Sequence, residues 1–145
     1  MNLFGVMEVS GSALLAERQR AEVVTSNMAN AETTKTADGG PYKRQHVVFG
    51  STGPGQFAAE LASARTDQRV RGVKVSAIVA DNAPPVQRYD PGHPDADENG
   101  FVNMPAINPT EEMADLMGAA RSYQLNASAV AATRGMIQAS LDILR

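Results

Sequence analysis

The sequence predicts a mainly α-helical protein with a small β insert, in which two long terminal helices form an antiparallel, coiled-coil-like hairpin. Apolar residues recur at alternating steps of three and four near both ends of the 145-residue chain, which is the spacing of a helical seam. The middle is rich in glycine, proline and short apolar runs. We therefore expect an N-terminal helix within 1–32, a β-rich insert over 33–107 and a C-terminal helix within 108–145.

The N-terminal helix is predicted over about residues 3–31. The segment that follows, TTKTADGGP at 33–41, contains threonines, glycines and a proline, which end the helix. Its first stripe of seam residues is expected to face the C-terminal helix, and it contains two polar members besides small and apolar ones. That stripe consists of Met7, Ser10, Leu14, Glu17, Ala21, Val24, Met28 and Ala31.

The insert alternates turn clusters with short runs that are typical of strands. Alternating valines at 73–79 predict a half-buried strand, and the DNAPP turn that follows lets the next run pair back onto it. The other predicted elements are strands at 45–49, 86–89 and 101–104 and a helix-like run at 57–65.

The C-terminal helix has a well-defined start. Asn108 can cap it, and Pro109 suits the first helical position. Glu111 and Glu112 are acids in the first turn, where they interact favourably with the positive end of the helix dipole. The helix is expected to run to the chain end. Its first stripe, predicted to close the hairpin, is Met113, Leu116, Ala120, Tyr123, Ala127, Val130, Arg134, Ile137, Leu141 and Leu144.

Each terminal helix carries a second apolar stripe, about 200° around the axis from the first. A chain of this length has too little else to cover two faces on both helices, so we expect other copies or related chains to cover the second. Polar side chains on these helices are either solvated or hydrogen-bonded across helix contacts. The predicted assembly interface therefore comprises Val9, Ala13, Ala16, Val23, Asn27, Asn30, Arg121, Tyr123, Leu125, Asn126, Ala129, Ala132, Met136, Ala139 and Ile143.

Composition and motifs exclude several classes of function. A net charge of −3 does not predict nucleic-acid binding, and the absence of cysteine excludes disulfides, thiolate catalysis and cysteine metal sites. No apolar stretch approaches the ~20 residues of a membrane span. No nucleophile lies beside a base and no glycine-rich phosphate loop occurs. We expect no enzyme activity, no cofactor and no small-molecule substrate.

The acidic loop at 95–100, DADENG, matches the first half of an EF-hand calcium loop, with Asp95, Asp97 and Asn99 at ligand positions. The second half fails, because Ala106 occupies the position of the bidentate glutamate. A second alternative is a metal bound by His93 together with the nearby carboxylates of Asp90, Asp95 and Asp97. A turn held by Asx hydrogen bonds is the favoured interpretation.

Several motifs resemble one known family. SNMANAETT at 26–34 resembles the N-terminal signature of the bacterial flagellar rod and hook (axial) protein family. PYKRQ at 41–45, and YDPGHPDAD at 89–97 followed by GFV, resemble its proximal-rod members, and RSYQ at 121–124 with Asn126 is similar to their C-terminal helix. The resemblance covers nearly the whole chain, but residues 50–71 are longer and more basic than the usual connection and Ala106 stands where the family tends to have Asn.

The resemblance implies a structural subunit of the rod, the drive shaft that joins the motor's membrane ring to the hook. Its partners would be other copies, other rod proteins and the flagellar type III export apparatus. The terminal helices would pack around the export channel. The resemblance also implies a periplasm-spanning location, reached without signal cleavage, and the N-terminus lacks the basic leader of a secretory signal. The alternatives are a calcium-binding module and a generic coiled-coil scaffold or secretion-needle protein, which would leave the 89–102 loop unexplained.

Overall fold

The computed structural model describes residues 3–37, 39–52 and 71–143, and within them the chain forms two long helices and four short strands. This confirms a mainly helical protein with a small β part. The helix-like run predicted at 57–65 lies outside the described residues. The elements in chain order are α1 (Leu3–Ala29), β1 (Gln45–Ser51), β2 (Val73–Ala80), β3 (Val86–Tyr89), β4 (Phe101–Met104) and α2 (Pro109–Ile143).

The two helices pack against each other, and α1 is the only element that packs against α2 in the described part of the chain. Arg20 donates to the Asp115 carboxylate at 3.1 Å. Further along α1, Asn27 donates to Glu112 at 2.9 Å.

The α2 residues in this contact follow a strict step of seven: Glu112, Ala119 and Thr133 are buried and Asn126 is half-buried. The stripe expected to close the hairpin lies one residue further along, and its members Met113 and Tyr123 are exposed. The expected stripe is thus only partly exposed, because its members Leu116, Val130 and Ile137 are half-buried on the helix that packs against α1. The fully buried positions of α2 are small or polar, and small side chains let two helix backbones approach closely.

α1 is covered on two sides, since both α2 and the β1–β2 ribbon pack against it, whereas the ribbon makes no packing contact with α2 in the described ranges. The ribbon is antiparallel, from Gln45 opposite Ala80 to Ser51 opposite Val73, with a bulge after Val48. At its far end Ser12 of α1 accepts a hydrogen bond from the Val73 N–H at 3.0 Å. The resulting buried residues of α1 include Ser10, Ala16, Val23, Val24 and Asn27.

A second antiparallel hairpin pairs β3 with β4, from Val86 opposite Met104 to Tyr89 opposite Phe101. The expected pairing of 86–89 onto the strand at 73–79 was wrong, because that strand pairs with β1 instead. The alternation along β4 is regular, since Val102 and Met104 are buried while Phe101 is exposed. The rings of Tyr89 and Phe101 meet edge to face with centroids 5.4 Å apart. The acidic loop closes this hairpin.

The two helices and the insert meet at a buried polar junction centred on Asn27, which is only 1% exposed. Its amide N–H groups donate to the Gln45 carbonyl and to Glu112 Oε2, both at 2.9 Å. Its carbonyl oxygen accepts from the Gln45 N–H at 2.9 Å and from the Tyr42 hydroxyl at 3.2 Å. Both donors and both acceptor positions of the amide are therefore used.

The Glu112 carboxylate is also only 1% exposed, and Arg44 compensates its charge. Arg44 Nη2 lies 2.5 Å from Glu112 Oε1 as an ion pair. The same guanidinium lies 3.8 Å from Asp115 and 3.9 Å from Glu111. Because an unpaired buried charge is very costly, this pairing fixes the start of α2 against the segment that enters β1.

No helix in the described ranges has the length and apolarity needed to cross a membrane.

Glu112→Ala removes the carboxylate that Arg44 and Asn27 both contact. It should lower the free energy of unfolding by roughly 2–4 kcal/mol, because a buried cation and an amide donor lose their partner. Urea unfolding followed by far-UV circular dichroism measures this. The matched control is Glu111→Ala, an exposed carboxylate on the next residue, for which we expect a change within about 0.5 kcal/mol. Equal effects of the two substitutions would contradict the buried junction.

Candidate assembly surface on the second helix

One face of α2 is apolar and open to solvent. Leu125 is 67% exposed, Met136 50% and Ile143 85%, which is unusual for large aliphatic side chains spaced along one helix face. Ala132 and Ala139 are exposed and Ala129 is half-buried. We call this face the α2 stripe, and it consists of the predicted residues Leu125, Ala129, Ala132, Met136, Ala139 and Ile143.

The α2 stripe lies beside the face that packs on α1. Leu125 and Ala132 directly precede the seam residues Asn126 and Thr133, so they lie about 100° around the helix from them. A further line, Gln124 and Ala131, lies about another 100° away and is exposed. The stripe is therefore within reach of a neighbouring helix that would also touch α1.

The N-terminal stripe is placed differently. Ala16 and Val23 are buried, and Val9 and Ala13 are half-buried. They lie on the helix that the β1–β2 ribbon and α2 both cover. These side chains are therefore poorly accessible to another chain. Of the two predicted second stripes, the one on α2 is the more exposed.

The five predicted polar residues take four different positions. Asn27 is the centre of the junction. Asn30 donates to the Ser26 carbonyl at 2.9 Å and accepts from Thr33 at 3.2 Å, so it closes the end of α1. Asn126 donates to the Ser122 carbonyl at 2.9 Å within α2. The other two, Arg121 and Tyr123, are exposed and have no polar partner among the described residues.

Sequence reasoning missed the role of Arg44 and of the buried Glu112, which it assigned to the helix dipole. No short-range pattern marks them, because their partners are 68 and 85 residues away in the sequence. The one available signal is the step of seven that places Glu112 in line with Ala119, Asn126 and Thr133.

The carboxylates of the acidic loop accept hydrogen bonds from the protein itself. Asp97 accepts from the N–H groups of Asn99 and Phe101 at 2.9 and 2.8 Å, and Gly100 adopts a left-handed φ of 80°. Asp95 accepts from Thr34 at 2.7 Å, which ties the loop to the segment after α1. The described residues contain no cluster of histidine and acidic side chains suited to a metal ion. The loop is thus held by Asx hydrogen bonds.

Comparison with known proteins identifies the class. Residues 7–35 match the family described as flagella basal body rod protein, and residues 98–143 match the flagellar basal body rod FlgEFG protein C-terminal family. These segments contain most of α1 and all of the described α2. The chain is a structural protein of the flagellar rod and not an enzyme.

Curated relatives cover the whole chain. It is 40% identical to the flagellar basal-body rod protein FlgC of Bacillus subtilis, over 99% of both chains. It is 36% identical to FlgC of Borreliella burgdorferi, over 100% of this chain and 99% of the relative. FlgC of Salmonella typhimurium is 36% identical over 99% of this chain and 98% of the relative. The chain therefore belongs to the FlgC family of flagellar basal-body rod proteins.

Calcium should not bind the acidic loop, because Asp95 and Asp97 already accept hydrogen bonds within the protein. Titration calorimetry with calcium up to about 1 mM, the weak end of protein calcium sites, should give no saturable heat. Asp97→Asn, which keeps an acceptor oxygen, is the matched control and should give the same flat trace. A saturable heat in the parent protein that Asp97→Asn abolishes would support the calcium-module alternative.

Proposed function

We propose that this rod subunit assembles with other copies of itself and with other rod proteins through the α2 stripe, forming a helical drive shaft that surrounds an export channel and transmits torque for motility. The observation that carries the proposal is the exposure of Leu125, Met136 and Ile143 along one face of α2. Burying such side chains contributes about 1.5–3 kcal/mol each. Contacts of this kind that do not close into a ring generate a helix of subunits.

We also propose that α1 and α2 act as one antiparallel, coiled-coil-like hairpin, with residues 1–32 and 108–145 as the terminal helical domain and 33–107 as the insert. The Arg20–Asp115 and Asn27–Glu112 contacts support opposite helix directions. The step of seven along the α2 seam supports coiled-coil-like packing.

Location in a periplasm-spanning rod requires export, and we propose that the flagellar type III apparatus carries the chain there without signal cleavage. The support is the rod location that the names of the relatives state. Intact-mass measurement of the chain recovered from purified basal bodies tests the proposal. A mass lacking an N-terminal segment would contradict it.

Ala132→Glu should block incorporation into the rod, because it places a charge in the middle of the α2 stripe while leaving the insert folded. Motility in soft agar and the amount of chain in purified basal bodies measure the effect, and both should fall to background. Ala131→Glu is the matched control, since it introduces the same charge at the preceding residue, on the exposed line that also contains Gln124, and it should leave both readouts unchanged. Normal motility of the Ala132→Glu strain would refute the assignment of this face.

Before assembly, the distal part of α2 should be only partly ordered, because its apolar side chains have no cover. Gln138 to Ile143 are all exposed, whereas Glu112 and Ala119 near the junction are buried. Amide hydrogen exchange of the dilute protein should show fast exchange over 134–143 and slow exchange over 109–122. Uniform protection along α2, with a cooperative melt of a fully helical monomer, would count against this.

A further inference from the structure

Asn99 and Gly100, at the end of the acidic loop, form the one Asn–Gly pair in the sequence. An asparagine before glycine readily loses its side-chain amide, because glycine has no side chain to hinder the approach of its backbone nitrogen to the asparagine. Asn99 is exposed, and its carboxamide has no hydrogen-bond partner among the described residues. The state of the Gly100 nitrogen therefore decides whether this side chain reacts.

The reaction needs water and no enzyme, and no atom is oxidised or reduced. The Gly100 nitrogen gives its proton to solvent hydroxide and forms a bond to the carbonyl carbon of the Asn99 side chain. The bond from that carbon to the side-chain nitrogen breaks, and this nitrogen takes up a proton and leaves as ammonia. Water then opens the resulting succinimide ring at either of its carbonyl carbons, which leaves aspartate or isoaspartate at position 99.

The closed acidic loop engages the nitrogen that must react. The Gly100 N–H donates to the Asp97 backbone carbonyl at 2.9 Å. The Asp97 carboxylate accepts from the N–H groups of Asn99 and Phe101, at 2.9 and 2.8 Å, on either side of that nitrogen. Loss of the Gly100 proton would place a negative nitrogen beside a carbonyl oxygen and a carboxylate, which repel it. The closed loop therefore suppresses the first step.

The loop requires a glycine at this position, so the reactive pair cannot be avoided by a larger residue after Asn99. Gly100 has a φ of 80°, which favours glycine. A Cβ atom there would lie 3.0 Å from Tyr89 Cε2 and 3.2 Å from Pro91 Cβ, closer than the optimal separation of carbon atoms. Protection of Asn99 therefore depends on the hydrogen bonds of the loop.

Isoaspartate would prevent the loop from closing. The main chain would then run through the former side chain of residue 99, which adds one carbon atom between Asp97 and Phe101. These two residues are joined by the Asp97 N–H to the Phe101 carbonyl and by the Phe101 N–H to the Asp97 carboxylate. The added atom changes the spacing of both hydrogen bonds. The β3–β4 hairpin, which contains the buried Val102, would lose its closure.

We propose that Asn99 is a site of spontaneous modification to isoaspartate, which reacts in chains whose acidic loop is open and is protected in chains whose loop is closed. The modification then prevents the loop from closing. The proposal goes beyond assembly of the rod, because it concerns the chemistry of a single chain. The carrying observation is the hydrogen bond from Gly100 to Asp97, made by the one nitrogen that the reaction uses.

Incubation of the full chain in mildly alkaline buffer, with and without urea, tests the site and its protection. Trypsin releases residues 89–121 as one peptide, in which Asn103 before methionine and Asn108 before proline are internal references. Mass spectrometry with electron-transfer fragmentation identifies isoaspartate and its position. We expect isoaspartate at position 99 in urea and a rate lower by roughly tenfold or more in native buffer, because the reaction requires local opening. Asn99→Gln should remove the product.

A matched pair of variants tests the role of the turn in native buffer. Asp97→Ala removes the acceptor of two N–H groups and should raise the rate at Asn99 by roughly five- to tenfold, as loss of a typical hydrogen bond would. Glu98→Ala removes a neighbouring exposed acid that has no polar partner among the described residues, and should change the rate by less than about twofold. Far-UV circular dichroism checks that both variants keep their helices.

Equal modification of the native and the urea-unfolded parent chain would overturn the protection, and this comparison needs no variant. An unmodified Asn99 in urea would overturn the site itself. Equal rates in Asp97→Ala and Glu98→Ala would overturn the role of the turn.

The consequence of the modification is measured on modified chain after the urea is removed. Amide hydrogen exchange over 86–104 should show loss of protection relative to unmodified chain that was treated in the same way. Equal protection in the two samples would contradict the effect on loop closure.

Discussion

The arrangement of the whole molecule depends on a buried carboxylate. Glu112 has lost nearly all contact with water and must therefore be paired with a cation and with hydrogen-bond donors. Arg44 supplies the cation from the segment that enters β1, and Asn27 supplies a donor from α1. The three side chains come from three parts of the chain. Pairing the Glu112 carboxylate with Arg44 and Asn27 therefore fixes these three parts relative to one another.

This constraint explains why the two helices present different surfaces. The junction holds α1 between the β1–β2 ribbon and α2, so its second apolar stripe is largely covered by its own chain. α2 is packed on one side only, and the stripe that flanks the seam remains open. Two helices with similar apolar sequence patterns thus differ in exposure, because α1 is packed on two sides and α2 on one side only.

The elements of this fold could be predicted from local signals. The expected helix at 3–31 is observed as Leu3–Ala29, and the expected strands at 86–89 and 101–104 have the observed bounds. The start of α2 was predictable because Asn108 accepts from the Thr110 N–H at 3.0 Å as a helix cap. Such signals involve residues that are close in the sequence, so they predict secondary structure without knowledge of the tertiary contacts.

What the sequence did not predict depends on contacts between distant residues. Periodicity located two stripes on each helix, and Leu116, Val130 and Ile137 of the first α2 stripe are half-buried at the helix contact. It missed the neighbouring line through Glu112, Ala119, Asn126 and Thr133, which contains the fully buried residues of α2, because the pairing of Glu112 involves distant residues. The burial of Ala16 within its own chain was equally hard to predict, since no local sequence pattern shows which element packs on which helix face. The α2 stripe was predictable because it needs no intrachain partner.

The open face of α2 is the central claim, and side-chain footprinting of free and rod-incorporated protein tests it most directly. Hydroxyl radicals label a side chain according to its exposure and its intrinsic reactivity, so the labelling of Leu125, Met136 and Ile143 is compared residue by residue between the two states. The account predicts strong labelling of these side chains in the free chain and marked protection in the rod. Equal labelling in both states would contradict it.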